Sequence, residues 1–367
     1  MNFIFTSESV CAGHPDKICD QVSDAIVDEA IRTDPFARVA VESMATLNKL
    51  IIVGELSLSG TLLYEQIARS LIKKLGYTKG EYNFSYKSPI EILIHEQSRE
   101  ISRGVNKKGA GDQGMMFGFA CTDTKEYMPL PIMLSHELAM RIDTVREKKI
   151  LPFLRPDGKT QVTIEYKNGV PRRVTRVVAA VPHDETIPLG EVKEALFKDV
   201  ISPVLVKRGF SVRKKDCIVN GTGVWHKGGP ASDSGLTGRK IIVDSYGGFA
   251  RVGGGCFSGK DPTKVDRSGA YAARFIAKNI VAHNLAERAE VRLAYFIGAR
   301  KPVMQEIETF GTEKVRKKAL TDFVNTLLDT SAEGIIERLQ LRKPLYLKTA
   351  TYGHFGREEF PWEKIVG

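Results

Sequence analysis

The residues best suited to chemistry in this chain are lysines, arginines and aspartates set in glycine-rich loops. His14-Pro15-Asp16-Lys17 precedes an apolar-phased stretch, and Asp157-Gly158-Lys159 leads into an alternating one. Two longer segments, GGPASDSGLTGRKIIVDSYGG and GGGCFSGKDPTKVDRS, bring Arg239, Lys240 and Lys260 close to Asp233 and Asp266. Backbone N–H groups of such loops, with lysine ammoniums, suit phosphate, and carboxylates suit hard cations. The combination favours a small polyphosphate handled with metal. Other chemistries are not provided for. There is no Ser-His-Asp set, no HExxH and no CxxC pair. The five cysteines, Cys11, Cys19, Cys121, Cys217 and Cys256, are odd in number and scattered, which argues against a disulfide framework or zinc site.

Two motifs invite a different reading. GAGDQG (Gly109 to Gly114) fits the dinucleotide fingerprint, but that fingerprint needs a strand before it and a helix after it. Here a polar loop precedes it and the strand-like MMFGFACTD follows. GGCFSGKD approaches a P-loop, yet Asp261-Pro262 stand where Ser or Thr must ligate magnesium. A loop offering N–H groups and Lys260 to phosphate remains, as does a plain turn between subdomains.

The elements that must position these residues alternate between helix and strand. Lys17 to Ile31 places Ile18, Val22, Ile26 and Ala30 four apart, an amphipathic helix. Asp20, Asp24 and Asp28 read as its solvated face, and Asp16 as part of the loop at its start. Arg38 to Ala45 and Leu50 to Leu56 read as paired strands joined near Asn48-Lys49, and Gln66 to Leu75 as a helix stopped by Gly76. Gln97 to Gly111 reads as a mobile loop. QVTIEY and VTRVVAAV form a second strand pair, followed by a helix from about Leu189 to Val206. KIIVDSY reads as a strand, Asp266 to Leu285 as a long helix with Asp266 as a candidate N-cap, and EVRLAYFIG as another strand. Boundaries are expected near the loop before Gly109 and near Gly228.

The chain has 367 residues, and single cores seldom grow past about 250–300, so two or three domains are expected. No apolar run approaches the ~20 residues of a membrane helix, and MNFIFTSESV is not a signal peptide. The expectation is a cytoplasmic protein. The formal charge of +10 fits an anionic partner. The cations sit in Gly-rich loops beside aspartates, which favours polyphosphate over nucleic acid.

Taken together, FTSESVCAGHPDKICDQVSDA, GAGDQG, GGPASDSGLTGRKIIVDSYGG and GGGCFSGKDPTKVDRSGAYAARFIAKN closely resemble the signatures of the S-adenosylmethionine synthetase family. ETFGTEKV and YGHFGREEFPWEK match as well, so the resemblance spans essentially the whole chain. It implies an α+β fold of three similar subdomains, each a small β-sheet with helices on one face, in pseudo-threefold arrangement, over residues 1–100, 109–226 and 228–364. It implies joining of ATP and L-methionine by attack of the methionine sulfur on C5′ of ATP. A thioether is already a soft, neutral nucleophile, so no general base is needed. The demand falls on cations around the leaving triphosphate and on alignment. The same description suits a kinase, so the chemistry alone does not choose.

By this resemblance His14 donates to the departing oxygen, and Lys159, Arg239, Lys240 and Lys260 hold phosphates. Asp157, Val224, Trp225, Asp233 and Cys256 belong to the ATP site. Glu55, Gln97, Asp112, Asp233 and Lys264 belong to methionine. Asp16 and Asp266 would ligate Mg²⁺, and Glu42 would serve a K⁺ site. The site would lie at a dimer interface, with dimers pairing further. The chain departs from the family in places. NGTGVWHKGGP stands where NPTGRFVIGGP is usual, so Trp225 replaces the Phe that stacks on adenine, Val224 an Arg, and His226 and Lys227 apolar residues. His226 and Lys227 could present donors to a base or face solvent. The loop from Gln97 to Gly109 is several residues shorter than common, the chain ends soon after FPWEK, and Cys256 stands where Ala is common. An altered choice of nucleotide or methionine analogue is the alternative these changes motivate. Nucleic-acid binding, motivated by charge, is the remote one.

Overall fold

The computed structural model describes residues 2–96 and 109–367. In chain order, β1 (Phe3–Val10) leads into α1 (Pro15–Thr33), and β2 (Arg38–Thr46) and β3 (Lys49–Ser57) form a hairpin. There follow α2 (Tyr64–Lys74), β4 (Ile90–His95), β5 (Gly114–Cys121) and α3 (Leu130–Glu147). The next hairpin is β6 (Lys159–Lys167) and β7 (Val170–Ala180). A continuous helical stretch then comprises α4 (Leu189–Leu196), a π turn (Phe197–Ile201) and α5 (Ser202–Lys207). The last part holds β8 (Cys217–Val219), β9 (Gly235–Leu236), α6 (Ile241–Asp244), α7 (Val265–Ala282), β10 (Arg288–Tyr295), β11 (Met304–Glu308), α8 (Lys317–Leu327) and α9 (Ala332–Arg338).

The described strands form three small sheets, of order β1-β6-β7-β8, β4-β3-β2-β9 and β11-β10-β5. The first two mix parallel and antiparallel pairs, and the third is antiparallel. Helices α3, α1 and α7 pack on them in turn, so each domain is a small sheet with helices, an α+β arrangement. Each sheet also recruits a strand from a distant part of the chain. β1 pairs with β6 from Phe3↔Tyr166 to Val10↔Lys159, and β9 closes on β2 at Ala45↔Gly235. Two glycines permit the closest approaches. A Cβ on Gly118 of β5 would lie 1.9 Å from the Ala273 carbonyl carbon of α7, and one on Gly235 2.1 Å from that of Pro15.

Alternation fixes which face of each sheet is buried. Val39, Val41, Ser43 and Ala45 of β2 turn inward under α1, while Ala40, Glu42 and Met44 turn outward. That outer face, with Met44, Val53, Leu93 and Leu236 exposed, is apolar and uncovered in the single chain. The sequence expectation fails at KIIVDSY, which is not a strand but the short helix α6. Asp244 N–H donates to Lys240 O at 2.7 Å and Ser245 Oγ to Ile241 O at 2.7 Å, so one helical turn satisfies these backbone groups within the segment itself. Of the mobile loop expected over Gln97 to Gly111, residues 97–108 lie outside the described residues, while Ala110 N–H donates to Ala299 O at 2.8 Å and Gly111 N–H to Thr263 O at 2.9 Å, so that end is held.

Candidate active site

The site is organised by the first turns of two long helices. α1 begins after His14, whose backbone is extended (φ −61°, ψ 140°), with Pro15 in the first turn. Proline there loses no hydrogen bond and is already shaped for helix. Asp16 is therefore not in the preceding loop, as expected, but inside the first turn. Asp266 likewise lies in the first turn of α7 rather than at its cap, a position that Lys264 occupies. Both carboxylates face the positive end of a helix dipole.

Each of these carboxylates carries a lysine. Asp16 accepts from Lys240 Nζ at 2.5 Å and from Leu236 N–H at 3.0 Å, with Arg239 Nε 3.5 Å away. Burial alone would raise the pKa of Asp16, but the Lys240 ammonium and the Leu236 N–H outweigh it and hold it below the ordinary value. Asp266 accepts from Lys260 Nζ at 2.5 Å, and Asp112 lies 4.0 Å from the same ammonium. There burial, aided by the Asp112 charge, outweighs Lys260 and pushes the carboxyl up. Cys256 lies near both pairs. Its Cβ would lie 2.6 Å from a Cβ on Gly238, beside Arg239 and Lys240, and its thiol is pushed up to about 11 by burial, against the opposing charge of Lys260.

His14 is buried beside the first pair. Its Nδ1 accepts from Asp16 N–H at 3.2 Å, which puts the proton of a neutral ring on Nε2. Burial, followed by the charges of Lys240 and Lys159, lowers its pKa to about 3, so the ring is neutral near pH 7. Nε2 is buried and has no protein partner. The result is an unsatisfied N–H donor in a cationic surround. Lys159, exposed at the start of β6, makes no ion pair among the described residues.

Asp20, Asp24 and Asp28 do not form a solvated face. They are 0, 0 and 8 % exposed, and with Asp16 they form a ladder in which each rung anchors a distant loop. Asp16 takes the Leu236 N–H, and Asp20 the Gly238 N–H at 2.9 Å. Asp24 takes the Gly259 N–H and Ser258 Oγ, both at 2.9 Å, and Asp28 the N–H groups of Tyr346 and Leu347. Two rungs are charge-balanced from within. Lys17 lies 2.9 Å from Asp20 and 2.5 Å from Asp244, and Arg267 grips Asp24 with both terminal nitrogens at 2.7 Å. Lys17, Asp20, Asp24, Asp244 and Arg267 were missed as site-building residues. One signal was present: carboxylates at i, i+4 repel on an isolated helix, so four in register call for partners elsewhere.

The remaining expected residues are more dispersed. Asp157 is buried, accepts from Gly158 N–H at 2.7 Å and Gly229 N–H at 2.8 Å, and is raised to about 6 by burial. It thereby fixes the turn after Trp225. Val224 is exposed, and the half-exposed Trp225 donates its indole N–H to Lys227 O at 2.5 Å. His226 does not face solvent freely, because its Nδ1 meets His183 O at 3.1 Å, while Lys227 is exposed. The side chain of Asp233 is exposed. Glu42 and Glu55 share the outer face of the β2–β3 hairpin. Glu42 is pushed up by burial and by Glu55, and Glu55 lies 3.3 Å from His95. Lys264 is buried against Asp261 at 2.8 Å. Gln97 lies outside the described residues.

Three small sheets with their helices, and loops that hold lysines, carboxylates and a neutral histidine donor, fit the class of enzymes that handle polyphosphates. Comparison with known proteins is specific. The N-terminal, central and C-terminal domain profiles of S-adenosylmethionine synthetase match residues 2–99, 107–225 and 227–364. The S-adenosylmethionine synthase of a Sulfurovum species is 49% identical over 99% of this chain and 96% of its own. That of Pseudothermotoga lettingae is 48% identical over 100% and 97%, and that of Staphylococcus epidermidis 49% over 99% and 95%. The chain belongs to the S-adenosylmethionine synthetase family.

Proposed function

We propose that the chain is a methionine adenosyltransferase, converting ATP, L-methionine and water to S-adenosylmethionine, phosphate and diphosphate. The observation that carries this reading is the buried, unpartnered Nε2–H of neutral His14 beside Lys240 and Lys159. The methionine sulfur forms its bond to C5′ as the C5′–O bond breaks, and the electron pair leaves on the triphosphate oxygen. His14 stabilises that oxygen by hydrogen bonding and keeps its proton. Lys159, Arg239, Lys240 and Lys260 take up the charge on the triphosphate, which water then cleaves. Preorganised donors of this kind gain most where water is excluded. Asp157, Val224, Trp225, Asp233 and Cys256 complete the nucleotide side, and Glu55, Gln97, Asp112, Asp233 and Lys264 the methionine side.

Asp16 and Asp266 suit Mg²⁺, since both are hard oxygen donors already holding a cationic ammonium. Among the described residues no cluster of three or more His, Cys, Asp or Glu could cage a metal. That suits an ion that keeps waters and substrate phosphates as ligands. Bound there, Mg²⁺ would supply charge neutralisation. Glu42, half-buried beside Glu55, suits K⁺. The exposed apolar face carrying Met44, Val53 and Leu93 together with Glu42 and Glu55 supports a dimer with the site at its interface, and dimers pairing in turn. No described helix is long and apolar enough to cross a membrane; we place the enzyme in the cytoplasm.

Mass spectrometry of products from ATP and methionine, repeated with GTP and methionine analogues, tests the reading. S-adenosylmethionine must appear with phosphate and diphosphate; its absence in folded protein overturns the proposal. If a chain restored to Arg-Phe-Val-Ile at Val224 to Lys227 keeps the same ATP to GTP ratio of kcat/KM, that stretch does not set base choice.

A further inference from the structure

The stretch Tyr352 to Arg357 takes no part in the chemistry above, yet it walls a separate cavity. The space measures about 480 Å³, opens to solvent on one side and is lined by α3 and α5, a size suited to a small organic ligand. Met133, Met140 and Phe355 give it an apolar lining. Its charged groups are mainly cationic: Arg141, Lys207, Arg208 and Arg357, against Glu126 and Glu137. Arg208 answers both carboxylates itself, at 2.9 and 2.6 Å. Among the described residues Arg357 has one carboxylate partner, the half-exposed Glu359 at 3.7 Å from Nη1, and it lies over the Phe360 ring at 4.4 Å.

Two nitrogens of the lining are buried without a partner, His136 Nε2 and Arg357 Nε. His136 is 3 % exposed, and its Nδ1 is engaged by Ser9 Oγ at 2.8 Å. Arg357 spends Nη2 on the carbonyls of Lys348 and Gly353, which leaves its Nε–H unmet. Buried polar groups seldom go unanswered. Gly353 packs against this imidazole, since a Cβ there would lie 2.5 Å from Nε2.

We propose that this cavity binds a small organic anion with an apolar body, and that the bound anion acts on catalysis as an effector. The walls are hydrogen-bonded directly to the segments that carry the site. Tyr352 Oη donates to Asp143 Oδ2 at 2.8 Å, and the same oxygen accepts the Ala12 N–H at 2.8 Å, two residues before His14. His354 N–H donates to Asp244 O at 2.9 Å, four residues after Lys240. Ser9, the partner of His136, lies in the strand that runs into the same loop. An anion that pulls Arg357 and His136 inward therefore bears on both sides of the Asp16–Lys240 pair, a contiguous route for coupling.

Calorimetric titration of the full chain with hexanoate tests this, with hexan-1-ol and inorganic phosphate as controls. Saturable binding with a Kd on the order of 1 mM is expected for hexanoate alone. Arg357→Met should weaken it by about 10-fold or more. Met140→Trp fills the cavity from a position 38 % exposed, so it should abolish binding without unfolding the chain. Saturating hexanoate should change kcat or KM in the natural protein and leave Met140→Trp unmoved. No saturable binding, equal binding of hexan-1-ol, equal affinity in Met140→Trp, or displacement by methionine would each overturn the site. Binding with no kinetic change would overturn the effector role.

Discussion

Replacing Asp24 by Asn isolates the ladder that holds the loop bearing Lys260. The carboxylate accepts four hydrogen bonds: two from Arg267 at 2.7 Å, and those of Gly259 N–H and Ser258 Oγ at 2.9 Å. Both members of the ion pair are fully buried. Asn keeps the size but removes the charge and sets an amide N–H against donors. Removing one partner of such a pair costs about 3–5 kcal/mol, a large part of the roughly 5–15 kcal/mol that holds a typical domain. Arg267 retains Thr349 Oγ1 at 3.0 Å and the face of Tyr346 at 4.2 Å, which argues for the lower end. Lys260 directly follows Gly259, and misplacement of about 1 Å can cost on the order of 10²-fold in rate. Urea unfolding at pH 7.5 and steady-state product formation measure the two effects. The double variant Asp24→Leu, Arg267→Met separates them: it should recover much of the stability, because apolar replacement of a buried pair is often neutral, while activity stays low. An Asp24→Asn protein with a stability loss below about 1 kcal/mol and undiminished kcat would refute the reasoning.

Lys260→Ala should lower kcat by about 10²–10³ with stability nearly unchanged, read by steady-state kinetics beside a thermal melt. Asp16→Asn and Asp266→Asn should each raise the Mg²⁺ concentration for half-activity, and Glu42→Gln should remove any K⁺ stimulation; flat titrations in all three would count against the metal roles. Burial lowers the folded pKa of His14 to about 3, while the unfolded ring titrates near 6.5. The unfolded state then binds more protons between these values, and the His14 contribution to stability is lost as pH falls. The natural chain should lose about 2 kcal/mol more than His14→Gln between pH 6.5 and 5 in paired denaturation curves. Trp225→Ala should raise KM for ATP by about one to two orders of magnitude.

The parts of this molecule legible in the sequence are those governed by local periodicity. Strands β2, β3 and β6 alternate cleanly between buried and open positions, whereas β7 falls out of step where its register against β6 shifts, and α1 and α7 carry apolar residues at helical spacing over many turns. The misreading of Ile241 to Asp244 arose because two β-branched isoleucines and a valine favour strand, whereas a cap and a buried Val243 impose one helical turn. The ladder was illegible for a different reason. The backbone N–H groups it anchors lie between 218 and 319 residues away, so helical phase could show that the four aspartates share a stripe but not what meets it. His14, Asp16 and Lys240 were named through family resemblance. The tautomer of His14 and its missing partner follow only from the fold.

The ladder explains how loops from the far end of the chain keep a fixed spacing. Asp16 and Asp24 are eight residues apart, and at 1.5 Å per residue their anchoring points differ by about 12 Å along the α1 axis. One holds the loop bearing Arg239 and Lys240, the other the loop bearing Lys260. α1 thus acts as a rigid ruler between the two cationic loops. Burying carboxylates is costly, and here the cost is offset by backbone N–H groups and by Lys17 and Arg267. Those groups belong to the scaffold, which leaves Lys240 and Lys260 to the first-turn carboxylates Asp16 and Asp266. A site assembled this way arrives at the reaction with its donors already oriented, and little reorganisation remains when charge develops on the leaving triphosphate.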